Sequence, residues 1–283
     1  MEITSDIKVL GVIGNPIKHS LSPLIHNYIY EKYSIHALYL PIEAKLGYFE
    51  KVLDGLCFLE NSVGFNITAP FKERAVNSMD WLSEEAQVIG AVNVVKRGDD
   101  KLIGYNTDWI GFVESLRVNG IENVRNPLVI GVGGAGKAVI YGLVKMGVEN
   151  IYVTNRDKVK LGMVAGSYRG YVTPLDWEKI NDIMERFDIV INCTKVGLDG
   201  VSDLPFDLSK LGKDVIVYDT IYNPPLTPFL KRAANLGFRV INGLDMLVLQ
   251  AIYSVEIWFG FLPDFRDVKN FVLSRVGGSD VQV

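Results

Sequence analysis

Gly131-Val132-Gly133-Gly134-Ala135-Gly136 lies between the apolar run Leu128-Val129-Ile130 and a segment of helical apolar spacing from Lys137 to about Met146. This order of strand, glycine turn and helix constrains the fold more than any other stretch of the chain. It is a G-x-G-x-x-G pattern in the context that gives the pattern meaning. The first glycine permits a tight turn, the second lets a ligand approach the backbone, and the third lets the helix pack closely on the strand. The helix start then offers unpaired N–H groups and a positive dipole end to an anion. Gly131, Gly133, Gly134, Ala135 and Gly136 are therefore candidate contacts for a dinucleotide pyrophosphate. The bland alternative is a turn that only tightens a βα connection. Further apolar runs follow at Ile151–Val153, Ile189–Ile191 and Val215–Tyr218, the last two leading into loops rich in Gly or Pro. Strands alternating with helices predict a doubly wound sheet.

The first part of the chain predicts a separate α/β unit. Val9–Ile13, Ala37–Ile42 and Val63–Ile67 read as continuous apolar strands, which favours a parallel or mixed sheet. Ser22-Pro23 fits a helix N-cap followed by proline, with Leu24, Ile25, Tyr28 and Ile29 as the apolar stripe behind it. A second helix is expected around Tyr48–Leu53, and two more from about Leu244 and Asp264. The expected fold is thus a two-domain α/β protein: an N-terminal substrate domain with a mixed, mostly parallel sheet, and a Rossmann dinucleotide-binding domain. A cap-like Asn106-Thr107-Asp108 marks the first junction; the second, near Gly243, rests mainly on the family resemblance given below, and together they place residues 1–107 and 244–283 in the first domain and 108–243 in the second.

Composition narrows the function class. With 29 Lys plus Arg against 33 Asp plus Glu the net charge is −4, which gives no footprint for a nucleic-acid backbone. Cys57 and Cys193 match no zinc or disulfide spacing. Glu2 and Asp6 stand where a signal peptide would carry positive charge. Asp245, Gln250 and Glu256 interrupt the longest apolar stretch, Leu244–Pro263, so it does not read as a membrane span. The expectation is a soluble cytoplasmic protein with a small-molecule partner, no nucleic acid, no membrane and no metal.

Several polar residues stand where chemistry would need them. Ser20 and Ser22 flank a helix start and could hold a carboxylate, or merely cap the helix. His19 beside them reads as a turn residue. Lys72 ends the segment Asn66-Ile67-Thr68-Ala69-Pro70-Phe71-Lys72 and could serve as an acid or a clamp on charge, or lie in solvent. Asp108 could be catalytic or a simple helix cap. Gln250, on the inward face of a helix, needs polar partners that a bound polyol would supply. After Val153 the chain has Asn155-Arg156, and a guanidinium beside a ribose favours a 2′-phosphate. Asp157 next to it would repel that phosphate if it faced the ribose, so NADP and NAD both remain open at this point.

Taken together, these segments resemble the shikimate dehydrogenase family over the whole chain. The resemblance is carried by Gly14-Asn15-Pro16-Ile17-Lys18-His19-Ser20-Leu21-Ser22-Pro23, Asn66 through Lys72, Gly90-Ala91-Val92-Asn93 and Gly104-Tyr105-Asn106-Thr107-Asp108. The glycine turn with Asn155-Arg156, Asp219-Thr220-Ile221-Tyr222-Asn223-Pro224, and Asn242-Gly243-Leu244-Asp245-Met246-Leu247 through Gln250 complete it. The resemblance implies NADPH-dependent reduction of 3-dehydroshikimate to shikimate, with Lys72 and Asp108 as the catalytic pair. It implies a substrate shell of Ser20, Ser22, Thr68, Asn93, Tyr222 and Gln250. It further implies adenosine-side contacts from Asn155, Arg156 and Lys160, and nicotinamide-side contacts from Thr194, Ile221, Gly243 and Met246. A homodimer is compatible with it. The chain departs from the family pattern at Val94, Trp109, Asp157, Lys195 and Leu198. Two other readings stay open: an NAD-dependent quinate/shikimate dehydrogenase, and a non-catalytic NADP-binding regulator that kept the fold.

Overall fold

A computed structural model describes residues 3–99 and 101–276. The chain divides into two compact units, one running up to Gly111 and resuming at Val248, the other covering Phe112–Leu247.

The first unit contains β1 (Lys8–Gly14), α1 (Ser22–Lys32), β2 (Ala37–Glu43), α2 (Phe49–Cys57), β3 (Ser62–Ile67), α3 (Lys72–Ala75), β4 (Trp81–Leu82), α4 (Glu84–Ile89), β5 (Val94–Arg97) and β6 (Leu102–Tyr105). Its six strands lie in the order β2-β1-β3-β5-β6-β4. β1 pairs in parallel with β2 and β3, whereas β5 runs antiparallel to both β3 and β6, so the sheet is mixed. Helix periodicity is visible in α2, whose buried residues Phe49, Leu53 and Cys57 recur every four positions. They pack with Ile13, Phe65, Phe71 and Val95 into one apolar cluster. α4 has clear ends: the Ser83 side chain accepts from the Ala86 N–H, and Gly90 closes it at φ +65°.

α5 (Asp108–Val118) leads out of this unit, and the second unit follows with β7 (Pro127–Ile130), α6 (Gly134–Lys145), β8 (Ile151–Thr154), α7 (Lys158–Ser167), β9 (Val172–Leu175), β10 (Ile189–Asn192), β11 (Ile216–Asp219), α8 (Pro228–Asn235) and β12 (Arg239–Ile241). Its strands lie in the order β12-β11-β10-β7-β8-β9, and all neighbours are parallel. The order reverses between β7 and β10, which is the doubly wound arrangement with its switch point at those two strands. The core is continuous around Leu128, Ile130, Val190, Val217, Phe229 and Leu230. α9 (Leu244–Phe259) runs back to the first unit, and α10 (Phe265–Val276) is the last described element. Among the described residues, no helix is long and apolar enough to cross a membrane, and no cluster of His, Cys, Asp and Glu could hold a metal ion.

Two local expectations need correction. Ser22 is not the cap of α1: Leu21 holds that position with no side-chain cap bond, and the Ser20 Oγ accepts from the Ser22 N–H at 3.3 Å. α6 begins at Gly134 and not at Lys137, because the glycine turn itself supplies the first helical turn. The strands β4, β5, β6, β9 and β12 were not legible: β4 and β12 have only two and three residues, and Lys96 and Arg97, Gly104, and Thr173-Pro174 break the apolar runs of β5, β6 and β9.

Candidate functional site

In the first unit the site grows from the ends of strands. α3 starts at Lys72 directly after Phe71, which is fully buried and stacked on Phe49 at 4.5 Å between ring centroids. The Lys72 carbonyl accepts from the Val92 N–H at 2.8 Å, which ties the lysine backbone to the strand leading into Asn93. Its Nζ donates to Asp108 Oδ2 at 2.7 Å; the lysine side chain is 18% exposed and the aspartate 5%. Little solvent reaches this pair, so its geometry is held by its surroundings and not by a flexible surface contact.

Asn93 fixes the aspartate. Its Nδ2 lies 2.9 Å from Asp108 Oδ1, 3.0 Å from Thr107 Oγ1 and 3.3 Å from Gln250 Oε1, three acceptors for two hydrogens. Its Oδ1 accepts from the Thr107 N–H at 2.7 Å. Behind it, Asn66 donates to the Asn93 carbonyl at 3.0 Å and to Ser254 Oγ at 3.1 Å, and accepts from the Tyr39 hydroxyl at 2.5 Å. His26 stacks on Tyr39 at 4.2 Å, and complete burial pushes its pKa down to about 3, so it stays neutral. Asp108 is the first residue of α5. The Asn106 Oδ1 accepts from the Asp108 N–H at 3.0 Å, which leaves the carboxylate for Lys72 and Asn93.

In the second unit the glycine turn has the shape that a pyrophosphate needs. Gly131 has φ +100°, a region that residues with a side chain rarely adopt. A Cβ at Gly136 would lie 2.0 Å from the Gly131 carbonyl oxygen, so the third glycine is demanded by packing. A Cβ at Gly133 would meet nothing within 4 Å, so open space lies over the middle of the turn. Gly133 caps α6 with no side-chain bond, and the first turn of α6 holds no acid. The N–H groups at that end are thus suited to an anion, and the cradle fits a dinucleotide. At the tip of β8, Asp157 is turned inward on its own helix: its Oδ1 accepts from the N–H groups of Val159 at 3.0 Å and Lys160 at 3.1 Å. Asn155 donates to the Asp157 carbonyl at 3.0 Å, and Arg156 and Lys160 are exposed.

Beyond the turn, β10 and β11 end on two polar residues that face each other. Asn192 Nδ2 donates to Asp219 Oδ1 at 3.1 Å and to the Val196 carbonyl at 3.1 Å. Asp219 also accepts from the Ile221 N–H at 3.0 Å and the Thr227 hydroxyl at 2.7 Å. Burial raises the Asp219 pKa to about 6, with the hydrogen bonds opposing the rise and nearby Asp203 adding to it.

The comparisons with known proteins agree along the chain. Residues 12–95 match the shikimate dehydrogenase substrate binding domain, 118–198 the shikimate / quinate 5-dehydrogenase domain, and 243–270 the shikimate 5′-dehydrogenase C-terminal domain. The NADP(+) shikimate dehydrogenase of Caldicellulosiruptor saccharolyticus is 41% identical over 262 residues, covering 89% of this chain and 92% of its own. The chain belongs to the shikimate dehydrogenase family. Crystal structures give the same answer. The shikimate dehydrogenase of Aquifex aeolicus superposes with a TM-score of 0.89 at 35% identity, over 96% of this chain and 99% of that one. The Thermus thermophilus shikimate 5-dehydrogenase, solved with NADP(H) and shikimate, gives 0.85 at 32% identity, over 95% of this chain and 99% of its own.

Within this chain, the expected residues fall into groups. Lys72, Asn93, Asp108 and Gln250 share one hydrogen-bonded network. Thr68 lies just past β3 with its N–H on the Ile13 carbonyl, and Ser20 and Ser22 lie at the start of α1. Gly131 and Thr194 touch, since a Cβ on the glycine would sit 2.8 Å from Thr194 Cγ2. Gly243 donates its N–H to the Ile221 carbonyl at 3.0 Å, which brings those two together. Met246 is buried in α9, and Tyr222 lies on the loop after β11. Sequence reasoning did not single out Asn66, Thr107, Ser254 or the Asn192–Asp219 pair as functional groups. The available signal was a polar residue at the end of an otherwise apolar strand, as at Asn66 and Asn192.

Proposed function

We propose that this chain catalyses the reversible NADPH-dependent reduction of 3-dehydroshikimate to shikimate, on the route to chorismate and the aromatic amino acids. The observation that carries the proposal is the Lys72–Asp108 pair, at 2.7 Å and largely screened from solvent, with Lys72 in the part of the chain that matches the family's substrate binding domain. NADPH, when bound, supplies the hydride that adds to the ketone carbon. Negative charge then builds on the carbonyl oxygen, and the protein must stabilise it and deliver a proton. The Lys72 ammonium can do both, by donating a hydrogen bond to the oxygen and then passing its proton to it. Asp108 keeps one of the three N–H bonds of Lys72 and so directs the remaining two toward substrate. Asn93 holds Asp108 in that role, and Gln250 offers an amide to a substrate hydroxyl.

Ser20, Ser22, Thr68 and Tyr222 complete the proposed substrate shell, with the first two and Tyr222 toward the carboxylate. Gly131, Gly133, Gly134, Ala135 and Gly136 would hold the pyrophosphate, and Asn155, Arg156 and Lys160 the adenosine ribose and its 2′-phosphate. Thr194, Ile221, Gly243 and Met246 would line the nicotinamide. Asp157 caps α7 through its Oδ1, which answers the concern that it faces the ribose and supports NADP as the cofactor. The proposal extends to a cytoplasmic location and to a homodimer, the latter open to light scattering. The assay that tests the reaction follows nicotinamide absorbance with shikimate or quinate, each with NADP+ or NAD+. Fastest turnover with shikimate and NADP+ is expected. Preference for quinate with NAD+ would favour the rival reading, and no turnover with tight NADP+ binding would favour a regulator.

A further inference from the structure

The two loops given above to the nicotinamide end, after β10 and after β11, are not independent. Asn192 Oδ1 accepts from the Thr194 N–H at 2.9 Å and from its hydroxyl at 2.7 Å, and Thr194 Oγ1 accepts in turn from the Val196 N–H at 3.1 Å. On the other side, the Thr220 hydroxyl donates to the Asn192 carbonyl at 3.0 Å, and Thr227 Oγ1 both donates to Asp219 and caps α8 by accepting from the Leu230 N–H at 3.3 Å. Asn192 and Asp219 are both fully buried, and their shared hydrogen bond is a direct side-chain link between the two loops. The assembly also abuts the glycine turn: a Cβ at Gly131 would strike Thr194, and one at Gly136 would reach Cys193 Cβ at 3.5 Å. A Cβ at Gly243 would lie 2.1 Å from the Thr220 carbonyl oxygen, so the segment leading into α9 is seated on the same frame.

We infer that Asp219 is a positioning residue for the reaction: through Asn192 and Thr227 it locks the loops carrying Thr194 and Ile221 in the shape that the nicotinamide end of NADP(H) meets. The inference rests on the assignment of those loops made under the proposed function. Asp219 touches neither cofactor nor substrate in this scheme. It acts by making the loops rigid before binding, so that binding does not bear the cost of ordering them. A carboxylate suits the task because its two oxygens take three donors, from Asn192 at the end of β10 and from Ile221 and Thr227 on the loop after β11.

The test compares the intact chain with Asp219→Ala and Asp219→Asn. Hydrogen exchange of the Thr194, Val196 and Ile221 amides in the ligand-free protein reads the loops directly. Binding of NADP+ and of 2′,5′-ADP, by titration calorimetry, separates the nicotinamide end from the adenosine end. In Asp219→Ala these amides should exchange roughly tenfold or more faster, and NADP+ should bind about tenfold more weakly, the scale set by lost buried hydrogen bonds. Binding of 2′,5′-ADP should be unchanged. Asp219→Asn should recover most of the loss, because its amide oxygen can keep Asn192 and Ile221 while its NH2 donates to the Thr227 hydroxyl. If Asp219→Ala does not fold, Asn192→Ala must give the same pattern. Native exchange and native NADP+ affinity in the alanine variants would overturn the inference, and so would a parallel loss of 2′,5′-ADP binding, which would mean general damage. The underlying assignment has its own check: NADP+ should protect the same amides in the unaltered chain. Without that protection the nicotinamide assignment fails, and the clamp then stands or falls on the exchange rates alone.

Discussion

Asp219 shows how one buried carboxylate couples structure to pH. Its pKa in the fold, about 6, lies above the ordinary 3.8. The folded state therefore holds its proton more tightly than the unfolded chain does. The associated stability is fully present below about pH 4 and is lost as pH rises through 6, amounting to about 3 kcal/mol at most. The groups that bear on it are Asp203, itself paired with Arg232 at 3.0 Å, together with Cys193 and Tyr218. Urea unfolding at pH 5 and pH 7 should show native stability falling across this window, and Asp219→Asn should flatten that part of the slope. An unchanged slope in the variant would place the titration elsewhere. At Arg156, substitution by Ala should weaken NADP+ binding by about tenfold or more while changing NAD+ binding much less, since a charge-assisted bond to the 2′-phosphate is the difference between them. Equal losses for both cofactors would deny that contact.

At the level of elements, the βα turn is the most sharply constrained piece of the chain. Gly136→Ala would drive a methyl to 2.0 Å from the Gly131 carbonyl, which is backbone and has no rotamer by which to yield. The expected cost is about 1–3 kcal/mol in denaturant unfolding, with weaker NADP+ binding because α6 must shift from β7. Gly133→Ala, which faces open space, should leave stability near native and still impair cofactor binding. If both variants keep full affinity, the turn is not the pyrophosphate cradle. This turn was legible in the sequence because glycine placement reports directly on steric need, and the strands β1, β2, β3, β7, β8, β10 and β11 were legible as apolar runs. The hairpin of β5 and β6 was not, since Lys96 and Arg97 break the run with charge. At the site, Lys72 and Asp108 could be named from the segments around them, but their 2.7 Å contact joins positions 36 residues apart, and no local pattern encodes such a distance. Asn66 and Ser254, separated by 188 residues, were hidden for the same reason.

For the molecule as a whole, each unit carries its own core, and the described chain links them through α5 and α9. A ligand that binds only the folded protein must raise its apparent stability, by about 2.7 kcal/mol at a hundredfold excess over Kd. NADP+ should therefore lift the melting temperature by several degrees, and NAD+ at the same concentration by less. No shift with saturating NADP+ would contradict the fit of the glycine cradle to the cofactor.

The proposed chemistry turns on the Lys72 ammonium, held by Asp108, serving the carbonyl oxygen of the substrate. Steady-state oxidation of shikimate by Lys72→Ala, with shikimate binding followed separately in the same protein, isolates that role. With the ammonium gone, kcat should fall by about two orders of magnitude or more while shikimate affinity changes far less. A kcat close to that of the unaltered chain would take Lys72 out of the reaction.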